Sequence, residues 1–350
     1  MRLLTAILFL IALKSYTQNQ EPHLRNIKQL TFGGDNAEAY FSFDGKKLVF
    51  QSNNPAWGLH CDQIYSMVIN QAIKKGKGYL PPKISTGKGK TTCSYFLKDN
   101  QHILYASTHL QHENCPPPPP PRPDRKYLWA LNPEFDIFIA DNSGKITKQL
   151  TDVPGYDAEA TVSPKGDKIV FTSVRNGDLD LYVMDIDGSN VKQITHELGY
   201  DGGAFFSPDG KQLIFRASRP KTEVEIDEYK QLLAQNLVAP TNMEIFVCDI
   251  DGQNMRQITH LGKANWAPFF HPSGKKVLFS SNHHSEKGYD FQLYMIDIDG
   301  KNLHRITEKS LFNAFPMFSP DGKKLVFSSN RDNGGTHDTN VFIADWVENP

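Results

Sequence analysis

The sequence carries almost no charge imbalance. Lys and Arg number 38 against 39 Asp and Glu, a formal net charge of −1, so there is no broad basic field of the kind that holds nucleic acid. It also lacks the residue patterns that usually announce catalysis. There is no Gly-x-Ser-x-Gly elbow, no His-Glu-x-x-His and no phosphate-binding loop, which leaves nucleophilic or zinc-hydrolase chemistry without a visible constellation. Long apolar runs are missing too. Residues 1–14 carry a basic residue at position 2 and continue with an apolar run too short to span a bilayer, the pattern of a secretory signal peptide, and nothing later is longer. Cleavage is expected within 1–20, the product being exported to the periplasm or outside the cell, with no membrane span and as a monomer.

What the sequence has in abundance is repetition. The stretch 199–215 reads as a short apolar strand, an Asp-Gly turn and a second apolar strand. Variants recur at 36–50, 91–105, 157–171, 201–215, 265–279 and 313–327. One β unit repeated at about 45–65 residues marks a solenoid or propeller, because a single copy cannot bury its apolar face alone. A third strand ending in Asp follows in most copies, and then a short Gln-Ile-Thr-type strand, as at 192–195 and 256–259. The last copy, ending at 345, lacks a fourth strand, while 27–31 is a fourth strand with no blade before it. The economical solution is an all-β, six-bladed propeller of four-stranded blades spanning 27–346, its ring closed by the N-terminal strand. The Asp-Gly pairs are expected in type I′ hairpins.

These tight turns share one face, so the opposite face receives every insertion. The largest fall at 108–134 in blade 2, with a proline run at 116–121, and at 220–242 in blade 4, where apolar residues at helical spacing predict a short helix. Long loops on one end of a rigid scaffold are where binding residues usually sit. Aligning the copies puts Asn36, Thr91, Asp157, Asp201, Asn265 and Asn313 in one column at the start of the innermost strand, where they are expected to ring the channel mouth. Two residues on come Glu38, Cys93, Glu159, Gly203, Ala267 and Phe315. A third column, Asn54, His109, Arg175, Arg219, His283 and Arg331, follows the second strand and is expected further out on the same face. The reading is a polar funnel shaped for a zwitterionic or anionic ligand such as a peptide terminus or sugar acid. The competing reading is that Asn and Asp only cap the linkers through backbone hydrogen bonds. Glu38, Asp157, Glu159 and Asp201 could together hold a hard divalent cation, Ca²⁺ or Mg²⁺. Among four cysteines, Cys248 sits in an apolar strand as a buried thiol, and Cys61–Cys115 is the candidate disulfide, stapling two long loops of an exported protein.

The segments 206–215 and 318–327, each followed by a strand ending in Asp-x-Asp-Gly and by a Gln-Ile-Thr-like strand, resemble the TolB-type β-propeller repeat over 27–346. The resemblance implies a periplasmic, envelope-associated propeller that binds a protein partner. The short interval before residue 27 leads us to expect a stand-alone propeller without the N-terminal α/β domain of TolB proteins. Oligogalacturonide lyases and prolyl-oligopeptidase-like peptidases use similar repeats. The function expected is therefore a non-catalytic binding module for an envelope protein, a peptide or a polar small ligand. The alternative is a metal-assisted lyase or hydrolase acting on oligosaccharide or peptide in the channel.

Overall fold

Each repeat folds as one blade. A computed structural model describes residues 21–119, 122, 124 and 126–350, so the expected signal peptide and part of the proline run lie outside the described residues. Blade 3 is typical: Asp157–Val162, Lys168–Ser173, Asp180–Asp185 and Lys192–Gln193 pair antiparallel in that order. Blades 2, 4 and 5 repeat the arrangement, with inner strands Thr91–Phe96, Asp201–Phe206 and Asn265–Phe270. Blade 6 runs Asn313–Phe318, Lys324–Ser329, Asn340–Trp346, and its outermost strand is Leu24–Gln29 from the other end of the chain. That strand starts three residues before the motif at 27–31, with Leu24 opposite Trp346 and Gln29 opposite Phe342. Glu21 fastens the same closure, its carboxylate accepting from Arg331 Nη1 at 3.0 Å and Nη2 at 3.1 Å.

Blade 1 departs from the four-strand rule. Asp35–Phe41, Lys47–Asn53 and Gln63–Val68 form a three-stranded sheet. The chain then turns through the helix Ile69–Lys75. It returns as an extended segment that bonds back to the third strand, Ser66 N to Pro82 O, Ile84 N to Ile64 O and Ser85 Oγ to Gln63 Oε1 among the contacts. Lys83-Ile84-Ser85 stands where other blades have Gln-Ile-Thr, with Ser85 Oγ accepting from Ile64 N at 2.9 Å as Thr195 Oγ1 does from Leu181 N, but it pairs with the third strand through a single bridge.

The hairpins differ from the type I′ expectation. Gly45 has φ of 69° and Gly210 of 72°, but neither Asp44 nor Asp209 is left-handed. The turn closes from Gly45 N to Ser42 O at 2.9 Å, a type I turn with Gly at its fourth position. Asp44 serves by its side chain, accepting from Ser42 Oγ at 2.6 Å and Lys46 N at 3.1 Å.

The second strands each carry a large aromatic at the fourth position, Phe50, Tyr105, Phe171, Phe215, Phe279 and Phe327, all fully buried. Burying each such ring is worth about 1.5–3 kcal/mol. Among the described residues no helix is long and apolar enough to cross a membrane.

Candidate functional site

The first aligned column does not face the channel. Asn36, Thr91, Asp157, Asp201, Asn265 and Asn313 are buried in the seams between blades. Asn265 Nδ2 donates to Met243 O at 2.8 Å and Glu244 Oε2 at 3.2 Å in blade 4, while its Oδ1 accepts from Ser281 Oγ at 2.6 Å. Asn313 reaches Gln292 of blade 5 at 2.8 Å, and Asn36 reaches Asn340 of blade 6 at 3.2 Å. Each side chain thus staples its own blade to the preceding one while capping the linker, because the first residue of the inner strand points sideways into the seam.

The outer column completes the same staples. Arg175 donates to Asp157 at 2.8 Å and to Ser173 Oγ at 2.9 Å. Arg219 pairs with Asp201 and Arg331 with Asn313. His109 and His283 bond Ser107 at 3.0 Å and Ser281 at 2.9 Å. The arginines also lie over blade aromatics, as Arg175 does over Phe171 at 5.0 Å, a cation–π contact that favours the buried charge. The four carboxylates proposed for a cation are therefore not brought together. Asp157, Asp201 and Glu159 are each spent on an arginine. Among the described residues no group of three or more His, Cys, Asp or Glu could hold a metal ion.

The middle column is what rings the axis. Register shifts across every inner strand mark a β-bulge. At each one a single residue, Glu38, Cys93, Glu159, Gly203, Ala267 or Phe315, has φ between 45° and 59°. A left-handed non-glycine residue costs about 1–3 kcal/mol. The bulge turns its amide off the sheet ladder, where the preceding blade supplies an acceptor: Gln51 Oε1 for Cys93 at 3.3 Å, Glu159 Oε2 for Gly203 at 2.8 Å, and Ser280 Oγ for Phe315 at 3.1 Å. All six residues line one cavity of about 730 Å³, within the range of small-molecule sites.

Two residues further along the inner strands, the channel is plugged. Tyr40 of blade 1 meets Phe205 of the opposite blade 4 at 5.5 Å between ring centroids. Tyr95 and Phe269 pack on the same Phe205 at 6.2 and 5.1 Å. Side chains from opposing blades in contact leave no through-pore at that level, so the cavity is a cup with an aromatic floor.

The two insertions roof it. Trp129–Ala130 from blade 2 pairs antiparallel with Leu237–Val238 from blade 4, and Leu131 N donates to Asn236 O at 2.8 Å. The blade 4 insertion carries the helix Glu223–Leu233, started by a Thr222/Glu225 capping box, and Lys126 ties it to blade 2 through Glu228 at 2.5 Å. A disulfide between Cys61 and Cys115 anchors the base of this strap, and Pro116–Pro119 follow it along the cup wall.

A buried charge cluster forms the wall between blades 3 and 4. The Glu159 carboxylate accepts from Tyr200 OH at 2.7 Å, Thr172 Oγ1 at 2.8 Å, Gly203 N and Arg216 Nη2. Burial alone would raise its pKa, but the Arg216 charge and these hydrogen bonds hold it below the ordinary value. Gly203 is required here, since a Cβ would lie 1.8 Å from Arg216 Nη1. Arg216 stacks between Trp129 at 5.3 Å and Tyr200 at 5.0 Å, and its Nε is buried without a hydrogen-bond partner. Glu38 is different. Burial and the nearby Glu159 charge push it up to about 7, opposed by a hydrogen bond from Cys93 and by the Arg216 charge. The Cys93 thiol is itself pushed well above its ordinary value by burial and the Glu38 charge.

Sequence reasoning missed Arg216, Tyr200, Trp129 and Trp266. For Arg216 a signal existed: its counterparts facing the bulges are Gln51, Ala106, Thr172, Ser280 and Ser328, so it is the cation in a column otherwise neutral.

With this geometry in hand, comparison with known proteins is informative about the fold. The family model described as the TolB beta propeller domain matches residues 122–236 and 230–338. A putative TolB from Agrobacterium tumefaciens superposes with a TM-score of 0.57 at 20% identity, over 90% of this chain and 91% of that one. TolB from Acinetobacter baumannii gives 0.53 at 18%, over 90% and 64%. An oligogalacturonate lyase from Vibrio parahaemolyticus gives 0.51 at 14%, over 92% and 94%. No curated protein sequence matches this chain.

Proposed function

Because the chain belongs to the TolB β-propeller family, we propose that it is an exported, non-catalytic binding module of the periplasm or cell envelope, holding a peptide, an envelope-protein segment or a polar small ligand in the axial cup. The observation that carries this reading is the cup itself. It is a blind cavity of about 730 Å³ lined by the inner-strand bulges and covered by a strap from two insertions. Five left-handed non-glycine bulge residues and a buried carboxylate–guanidinium pair are costly features. They hold the wall side chains rigidly, which is what preorganised binding needs. The solved TolB neighbours favour this reading at the level of fold.

One observation favours the enzyme alternative. Glu38, pushed up to about 7, has a pKa suited to proton transfer near neutrality, as a lyase or hydrolase of oligosaccharide or peptide would require. A metal-assisted version would need ligands beyond Glu38, and Asp157, Glu159 and Asp201 are committed to arginines.

The test is a calorimetric screen of short peptides, amines, carboxylates and oligosaccharides, with and without Ca²⁺ or Mg²⁺, against the parent and Ala267→Phe. Phe315 occupies the equivalent bulge at φ of 55° against 48° for Ala267, so the variant fills the cup in a backbone geometry that already accepts Phe. Ligands bound by the parent, lost in the variant and recovered chemically unchanged support the module. Turnover of a bound ligand supports the enzyme, and binding that survives Ala267→Phe contradicts both.

A further inference from the structure

The charges lining the cup nearly cancel in pairs. Arg216 is bonded to Glu159, and Lys90 faces Asp62 at 3.9 Å. Glu38 is the carboxyl left over. It lines the same cavity on the blade 1 side, and its side-chain contact is the Cys93 thiol, which donates to it. Among the described residues no Lys, Arg or His forms an ion pair with it. Around and across from Glu38 the lining is aromatic: Tyr40, Trp129, Trp266, Phe312 and Phe315. Trp266 is held by Pro240 O at 2.9 Å and stacks on Phe291 at 4.4 Å. Aromatic faces carry negative electrostatic potential and attract cations. An anionic ligand would meet Glu38 and those same faces, with the one buried guanidinium of the wall already neutralised.

We infer that the cup is selective for an organic cation, the ammonium end of an apolar stem, with Glu38 as its counter-ion and the aromatic wall around the stem. The inference rests on the cup being the binding site, and it narrows the anionic or zwitterionic ligand expected from the sequence. The chemistry is shared by a lysine side chain in a peptide and by a free alkylamine. The raised Glu38 fits this assignment, because a carboxyl without a counter-ion in a recessed apolar site resists ionisation until a cation arrives. The groups that bear on it are Cys93 from blade 2, Glu159 from blade 3, Arg216 from blade 4 and Asp62 from blade 1, and Tyr40 lies close by.

The experiment is calorimetric titration of the full chain with four probes: hexylammonium, hexanol, hexanoate and an acetylated, amidated Ala-Lys-Ala tripeptide. Hexylammonium or the tripeptide is expected to bind at least about tenfold more tightly than hexanol, and hexanoate more weakly still. Tripeptide binding alone assigns the peptide source, and hexylammonium alone the free amine. Glu38→Gln, nearly isosteric, should lose about tenfold for the cation and nothing for hexanol. In the parent, cation affinity should fall about tenfold or more from about pH 8.5 to 5.5 as Glu38 takes up its proton. Equal binding of hexanoate, or full affinity in Glu38→Gln, overturns the inference. Hexanoate binding that Ala267→Phe abolishes would do so while leaving the cup as the site. Probes all indifferent to Ala267→Phe would remove the site as well.

Discussion

Two carboxylates at equivalent bulges, Glu38 in blade 1 and Glu159 in blade 3, behave oppositely, and the difference lies in their partners. Glu159 has a guanidinium and three further donors, so it stays ionised. Replacing Arg216 with Met would strand that charge in the wall, and a buried pair broken from one side costs about 3–5 kcal/mol. Urea unfolding of Arg216→Met should show a loss of that size, much of it recovered when Glu159→Gln is added. A single-variant loss below about 1 kcal/mol would mean the pair contributes little. Glu38 gives the opposite sign of pH dependence. Its folded pKa of about 7 lies above the ordinary 4.5, so between those values the folded chain keeps a proton that the unfolded chain has released. Its contribution to stability therefore declines as pH rises through that window, by up to about 1.4 kcal/mol per unit. Glu38→Gln should melt with the parent near about pH 4 and above it near about pH 8. Parallel melting curves at both values would contradict the assignment. The sequence alignment put Glu38 and Glu159 in the right column without distinguishing them. The distinction depends on Arg216, 57 residues from Glu159 and on another blade, a pairing that only the closed ring creates.

At the scale of elements, the blades were legible and the strap was not. Alternating apolar strands and Asp-Gly turns repeat often enough to specify four-stranded sheets. Two-residue strands such as Trp129–Ala130 and Leu237–Val238 carry no periodicity, and their pairing joins insertions from different blades. The seam column shows a related limit. Asn36, Asp201 and their equivalents recur at one position for a reason the spacing alone does not separate from ligand binding. The staple becomes visible only when the preceding blade, with Glu244 or Gln292, lies beside it. The strap also has a covalent anchor whose effect is measurable. The Cys61–Cys115 bridge closes a separation of 54 residues, for which loop entropy gives about 4 kcal/mol. Replacing both cysteines with Ser should lower stability by no more than that in denaturant titration. An unchanged midpoint would show that the reduced loops are already ordered by the Lys126–Glu228 and strand contacts.

On the scale of the whole molecule, closure is the feature everything else depends on. The cup exists because six inner strands converge on an axis, and they converge because Leu24–Gln29 completes blade 6. The missing last strand and the surplus first one made this readable from sequence. The Glu21–Arg331 contact that locks it was not, since its partners are 310 residues apart. Deleting 21–29 should expose the edge of Asn340–Trp346, remove the Arg331 counter-ion and lower the melting temperature sharply, by on the order of 10 °C or more. A deletion variant melting with the parent would show that the ring does not need this strand. The central claim, that the axial cup is where this propeller binds, is tested most directly by a ligand-soaked crystal structure using the tightest binder from the calorimetric screen. The account predicts difference density inside the ring of bulges, with its cationic end against Glu38 and its stem between Trp129, Trp266 and Phe315. Density only on the hairpin face or outside the strap, with the cup unchanged, would contradict it.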